Sequence, residues 1–320
     1  MSLEAPISTL RLALRNSNAF VVEMLTVCRG GRDFTDALIL MTLVQCNSAP
    51  IVGDIVLQRR YGAFETPAPE SLRRPISVNA ISASLGMPFE TVRRRAKRLI
   101  ADGVCAVVPE GLQLRQAPLT SDAHRCALEK VYGLVRDLYH RFKRAGCLEL
   151  MGLPAEGSAP WTEPSPPVRI VWRAASDYVL RVMELVLPNF HNLSRAFIVM
   201  AVVRANTEGM PDTVRGADGA EVGAFPADYL RRPARASEVA TILGLPHETV
   251  RRHLAALIAE GRCERVRDGV IVPASVLARQ NVLNAWGPNF RNLSRMFGEL
   301  SGAGVLALWD GETAAGQSAA

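Results

Sequence analysis

The chain has 320 residues, 48% of them hydrophobic and 21% charged, with a net charge of +6 and a pI near 9.2. The length predicts two or three domains with ample core, and the composition is that of a soluble globular protein and not of a disordered one. A mild basic excess leaves nucleic acid, a membrane surface and an acidic polypeptide open as partners until the charge is located along the chain.

At the N-terminus Glu4 and Pro6 precede any apolar stretch, which argues against a signal peptide. Residues 17–28 and 34–47 have helix-compatible apolar spacing. The most apolar runs, residues 37–44 and 196–203, are far shorter than the roughly 18 to 20 residues that span a bilayer, so they predict buried helices and no membrane partner. The connection over residues 48–71 is long for a structureless loop, and a short strand is expected around Ile51 to Val56. Six cysteines are scattered without a C-x-x-C pair, which favours buried free thiols in a cytoplasmic protein over disulfides.

A duplication organises the chain. Residues 73–105 match residues 231–263 without a gap, with 16 of 33 positions identical. The repeat extends upstream, where Ala37 to Asn47 aligns with Ala196 to Asn206 and Gly62-Ala63-Phe64 recurs as Gly223-Ala224-Phe225. The predicted organisation is a first repeat over 1–152, a Pro-rich linker over 153–169, a second repeat over 170–309 and a disordered tail over 310–320. Pro188 to Phe197 and Pro288 to Phe297 agree at eight of ten positions, including Pro-Asn-Phe-x-Asn-Leu-Ser-Arg, and are taken as helix-entry and packing elements. In the first of these, Phe190, Leu193 and Phe197 face inward.

Inside the first repeat, Val78 to Leu85 predicts a short helix that stops at Gly86, and Gly86-Met87-Pro88 makes the turn. A second helix runs from Phe89 to Ala101, with Val92, Ala96, Leu99 and Ile100 on its apolar face. Val104 to Val108 and Leu112 to Leu114 flank Pro109-Glu110-Gly111 as a hairpin. The second copy repeats the order: Gly244-Leu245-Pro246, then Val250, Leu254, Leu257 and Ile258, then a hairpin around Asp268-Gly269. Trailing helices are expected over 121–145 and 273–300.

Helix, glycine turn, second helix and hairpin is the order of a winged helix-turn-helix, whose second helix enters the major groove and whose hairpin meets the backbone. The fold class expected is therefore mainly α, with tandem winged helix-turn-helix modules carrying small β-hairpin wings in a helical body. Residues 73–115 hold eight Arg/Lys against three Asp/Glu, or +5, and residues 231–272 hold eight against five, or +3. The rest of the chain is then −2, so the basic excess lies on the two modules, the footprint of a DNA-binding protein.

Glu-Thr-Val-Arg-Arg opening the second helix, with Leu-Ile and a Gly leading into a hairpin after it, resembles the winged helices of bacterial transcription regulators, especially the Crp/Fnr-type and GntR-type modules. The resemblance covers about 40 residues in each copy. It implies that Glu90 and Arg94, and likewise Glu248 and Arg252, read base edges, a carboxylate accepting from cytosine and a guanidinium pairing with guanine. Thr91, Arg93, Thr249 and Arg251 would then hold phosphates. The remaining candidates on these helices are Phe89, Arg95, Lys97, Arg98, His247 and His253, joined by Arg265 and Arg267 of the second hairpin. Phe89 and His247 stand where the Crp/Fnr type has another basic reader, and no cyclic-nucleotide β-roll precedes either module, so neither that base contact nor that ligand is implied.

The expected function is sequence-specific recognition of double-stranded DNA by a transcription regulator, with two non-identical modules in one chain acting as a pseudo-dimer. The flanking helices would set their spacing in a pseudo-twofold body, and the site read would be an imperfect palindrome. The alternative is a protein-interaction or oligomerisation scaffold built from winged helices. No catalytic residues, metal ligands or cofactor are expected: the five histidines lack metal spacing, and no phosphate-binding glycine loop or nucleophile elbow is present. A small-molecule effector and association of two chains stay open.

Overall fold

The computed structural model describes residues 7–153, 159–190, 192–210 and 225–318. Among the described residues the chain is mainly helical, with two small antiparallel hairpins. It divides into two compact units that interleave the sequence repeats. One unit, built around the first module, comprises residues 27–139, 152–181 and 293–320; the other, around the second module, comprises residues 1–26, 140–151 and 182–292. The repeat is thus the unit of duplication, while each compact unit takes the greater part of its leading helix from the other repeat.

In the first-module unit, α2 (Phe34–Val52) is the central helix, opened by Asp33, whose carboxylate accepts from the Thr35 amide. Its 19 residues have the length and mean hydropathy of a bilayer span, more than the apolar run alone suggested. Ile39 and Leu43 nevertheless sit in the protein core with Ile81, Val92, Ala96, Leu99, Cys105, Leu112 and Leu114. These last residues come from α4 (Val78–Leu85), α5 (Phe89–Ala101), β1 (Cys105–Val108) and β2 (Gly111–Leu114). The expected strand at Ile51 to Val56 is helical instead. Ile51 and Val52 finish α2, and Asp54 caps α3 (Ile55–Arg60) by accepting from Val56 and Leu57 amides, so a capping carboxylate overrides the local β propensity.

Two glycine positions set the module's shape. Gly86 and its counterpart Gly244 take φ of 61° and 57°, the left-handed conformation that ends α4 and α10 (Ala236–Leu243). Gly111 and Gly269 lie where the hairpin meets the strand-like segment before the first helix. A Cβ on Gly111 would come within 2.5 Å of the Ile76 backbone, and one on Gly269 within 2.6 Å of the Ala234 carbonyl oxygen. That close approach allows the bridges Ile76 to Leu112 and Ala234 to Val270.

A buried asparagine fastens each hairpin to its central helix. Asn47 Nδ2 donates to the carbonyls of Arg74 (2.9 Å) and Leu112 (3.4 Å), and its Oδ1 accepts from the Leu114 amide (2.7 Å). Asn206 on α9 (Leu193–Thr207) repeats the set with Arg232, Val270 and Val272. Arg73 and Arg231 are also interior: Arg73 donates to the Leu114 and Ala68 carbonyls, and Arg231 to Asp228 and the Pro226 carbonyl.

After the first hairpin come α6 (Gln116–Leu119) and α7 (Asp122–Arg144); the latter covers the expected trailing helix. The linker region is partly built into the fold. Residues 154–158 lie outside the described residues, but Trp161 is buried against Gly62, and its amide donates to the Gly304 carbonyl. The next helix is α8 (Val168–Val186), whose Arg169 and Arg173 donate to the carbonyls of Ala63, Phe64, Leu119 and Tyr61.

His124 of α7 packs edge-on to Trp172, with ring centroids 5.5 Å apart. Burial, helped by Arg169, lowers its pKa to about 4. The unfolded chain therefore binds the proton first: the stability that neutral His124 supplies is full above pH 6.5 and is lost as pH falls toward 4. Urea unfolding measured against pH is expected to show about 3 kcal/mol lost over that window, and His124→Phe to flatten it.

The second-module unit has the same order: α9, α10, α11 (His247–Ala259), β3 (Glu264–Val266) and β4 (Gly269–Ile271). Its trailing region is broken into α12 (Ala274–Leu277), α13 (Gln280–Leu283) and the start of α14 (Trp286–Gly302), where a single helix was expected. Asn192 caps α9 by accepting from the Ser194 and Arg195 amides, so the first Pro-Asn-Phe-x-Asn-Leu-Ser-Arg segment is a helix entry. Phe197 is buried while Phe190 and Leu193 are half-buried, and His191 lies outside the described residues. The second segment lies within α14. The predicted disordered tail over 310–320 is corrected in its described part: α15 (Val305–Ser318) continues to Ser318, and Asp310 accepts from the Tyr139 hydroxyl at 3.0 Å; residues 319–320 lie outside the described residues. None of the six cysteines is in a disulfide. Cys105, Cys147 and Cys263 are buried, but Cys126 is exposed, against the expectation of uniformly buried thiols.

Candidate nucleic-acid interface

α5 and α11 are amphipathic for the same reason. Val92, Ala96 and Leu99 bury one face of α5, and Val250, Leu254 and Leu257 bury one face of α11. The opposite face is left to solvent, and it carries the candidate readers. On α5, Phe89, Glu90, Arg94, Lys97 and Arg98 are exposed, with Thr91 and Arg93 half-buried at the margin. On α11, His247, Glu248, Arg251 and Arg252 are exposed, and Thr249 is half-buried.

The motif carboxylates are held in the same way in both copies. Glu90 receives a two-pronged pair of hydrogen bonds from Arg93 at 2.8 and 2.6 Å, and Glu248 receives the same from Arg251 at 2.8 and 2.7 Å. These bonds hold both carboxyl groups below the usual range, so each helix presents a charged carboxylate beside guanidinium groups. Arg94 and Arg252, one turn beyond the glutamates, are exposed next to them. This arrangement offers an acceptor and a bidentate donor side by side, the chemistry of base-edge readout.

Two of the sequence candidates leave this face. Arg95 turns toward α2, where it meets the buried Asp36 at 3.3 Å and Asp33 at 3.5 Å. It belongs to the module's framework, because it lies at the edge of the apolar stripe within reach of a carboxylate that water does not solvate. Arg95→Ala is expected to cost about 2 kcal/mol of stability by stranding Asp36, measured by chemical denaturation. His253, the counterpart of Arg95, is half-buried; burial first, then Arg252 and Arg195, lower its pKa, so it stays neutral at pH 7. The basic excess counted along the modules is also partly interior, since Arg73 and Arg231 serve carbonyls and not solvent.

The modules distribute their cations differently. The first has none on its hairpin strands and turn, where Val107 is 69% exposed, and concentrates charge on α5. The second has fewer on its helix but exposes Arg265 and Arg267 on its hairpin. Sequence reasoning passed over Arg74, which is exposed just before α4 and suited to a phosphate. Its counterpart Arg232 is occupied by Glu208 at 2.6 Å and by Glu238. The chain carries the signal for this difference, as the carboxylates flank Arg232 in sequence and have no equivalents around Arg74.

No family model, curated protein or solved structure matches the chain. Among the described residues, no group of three or more His, Cys, Asp or Glu is placed to hold a metal ion.

Proposed function

We propose that the chain is a sequence-specific DNA-binding transcription regulator that uses two non-identical winged helix-turn-helix modules. The observation that carries this reading is the recurrence, in both units, of one exposed constellation: Glu90, Arg93 and Arg94 on α5, and Glu248, Arg251 and Arg252 on α11. A core-packing role would not require any of these side chains, and a merely solvated face has no reason to keep the same carboxylate and guanidinium geometry in both copies while Lys97 and Arg98 are replaced by Ala255 and Ala256.

In this reading, Glu90 and Glu248 take cytosine amino groups, and Arg94 and Arg252 take guanine. Arg93 and Arg251 hold their glutamates in place and meet the phosphates, with Lys97, Arg98, Arg265 and Arg267 as further phosphate contacts. Placing two weak readers on one chain makes the second contact intramolecular, so the pair binds more tightly than either alone. The different cation placement predicts a site with unlike halves, the α5 half contacted mainly through a helix and the α11 half through helix and hairpin.

The affinity should depend steeply on salt. With six or more phosphates neutralised, affinity for duplex DNA is expected to fall about 10³-fold between 50 and 200 mM salt, measured by anisotropy titration. A flat salt response would remove the electrostatic basis of the proposal.

A further inference from the structure

The second-module unit contains a cavity of about 390 Å³ that the DNA-reading surface does not use. This lies within the roughly 300 to 1,000 Å³ of small-molecule sites. Its walls are largely apolar, with Leu14 of α1 (Ile7–Arg29), Val199 and Val203 of α9, and Trp286 of α14 among them. Among the described residues its charged lining is five arginines; Arg231 pairs with Asp228, Arg262 with Glu260, and Arg15 donates to the Met210 carbonyl, while asparagines such as Asn18 and Asn281 add neutral polar groups.

The duplication supplies an internal comparison. The first-module unit has a cavity at the corresponding place, lined by Val44, Arg169, Trp172 and Arg173, the counterparts of Val203, Arg11, Leu14 and Arg15. That cavity is only about 60 Å³. Trp172 and His124 line it where the second-module unit has Leu14 and Val282; the arginines do not make the difference, since Arg173 donates to the Tyr61 carbonyl and its counterpart Arg15 to that of Met210. One copy of the framework is narrowed by Trp172 and His124, and the other, with Leu14 and Val282 in their places, is open.

We propose that the open cavity binds an apolar monocarboxylate, a medium-chain or aryl-substituted alkanoic acid, with its hydrocarbon part against Leu14, Val203 and Trp286 and its carboxylate at the arginine-lined mouth. Arg279 is the principal anion contact. It is exposed at the mouth, and its Nη2 donates at 2.9 Å to the carbonyl of Gly261, a neutral acceptor that leaves the guanidinium charge for an anion. Gly261 lies just past the end of α11, and Arg262 beside it also lines the cavity. A bound carboxylate therefore acts on the end of the helix proposed to read DNA. Binding itself is independent of the DNA-reading proposal; only its regulatory consequence rests on it.

The test is calorimetric titration of the full chain with decanoate and, separately, with decanol, comparing wild type, Leu14→Trp and Arg279→Gln. Leu14→Trp installs the residue that narrows the other copy, in a position whose counterpart accommodates it. Wild type is expected to bind one decanoate per chain; Leu14→Trp to weaken it about tenfold or more; Arg279→Gln to weaken decanoate and leave decanol unchanged. If Leu14→Trp lowers the melting temperature of the free protein, Val203→Phe provides the same plug from another wall. Absence of saturable decanoate binding up to about 1 mM, equal affinity in the plugged variant, or decanol binding as tightly as decanoate would each overturn the proposal. Anisotropy titration with DNA in the presence of decanoate is read separately: decanoate binding without any DNA binding keeps the cavity and removes the regulator reading.

Discussion

With Arg93, Arg94, Lys97 and Arg98 replaced together by alanine, the full chain is expected to lose about 10³-fold of its affinity for a selected DNA site, roughly 4 kcal/mol. One bidentate base contact accounts for about 1 to 3 kcal/mol of that. The rest comes from phosphate neutralisation, so the variant's loss should shrink as salt rises and its salt slope should be shallower than that of wild type. Arg94, Lys97 and Arg98 are exposed and Arg93 lies at the margin of that face, bonded only to the exposed Glu90 and away from Val92, Ala96 and Leu99, so the melting temperature should hold. The matched pair Arg251→Ala and Arg252→Ala on α11 should cost less, because Arg265 and Arg267 on the hairpin retain part of that module's phosphate contact. Anisotropy titration of both variants decides the matter, and retention of wild-type affinity in both would leave the exposed faces without a DNA role.

The second large effect is on folding. Asn47→Ala is expected to destabilise the first-module unit by about 3 kcal/mol, because it strands the Leu114 amide and the Arg74 carbonyl that Asn47 satisfies inside the core. Asn206→Ala should do the same to the second-module unit through Val272 and Arg232. Urea denaturation gives the size of each loss. Amide exchange gives its location: the Leu112 and Leu114 amides should lose protection in the first variant and the Val270 and Val272 amides in the second. Uniform loss of protection across both units in either variant would contradict a local role for the asparagine.

The legibility of the fold and the site in the chain itself differs by level. The bounds of α4 and α5 are set by Gly86, Pro88 and the apolar spacing of Val92, Ala96 and Leu99, signals that act within a few residues. The hairpins are signalled by Gly111 and Gly269 in the same way. The features that were not legible depend on partners distant in sequence. Arg95 looks like one more member of a basic run until Asp36, 59 residues earlier, is placed beside it. Arg73 and Arg231 look like exposed charge in the Arg-Arg-Pro repeats until the carbonyls they serve are placed around them. The β-branched residues from Ile51 to Val56 favour a strand locally, and only Asp54 as a helix cap reverses that. The polar composition of residues 310–318 concealed a helix held by Trp309, Asp310 and Glu312. The cavity had no sequence signature, since the difference between Leu14 and Trp172 becomes meaningful only when each helix is seen in its own unit.

The inequality of the two modules has a physical basis that a residue count obscures. Net charges of +5 and +3 suggest a strong and a weak copy of one device, yet Arg73 and Arg231 contribute to those sums from the interior and Arg95 from a pair with Asp36. The surface retains a helix-centred cluster in one module and a cluster shared by helix and hairpin in the other. Different phosphates would be engaged in each half of a site even where Glu90 and Glu248 select the same base.

Selection of the full chain against a random pool of DNA duplexes, with sequencing of the retained fraction, is the decisive measurement for DNA reading by two unlike modules. The expected outcome is enrichment of a two-part site with unlike halves, in which Arg94→Ala relaxes the guanine preference of one half and Arg252→Ala that of the other. Retention of duplexes without any sequence preference, or a preference unchanged in both variants, would contradict it.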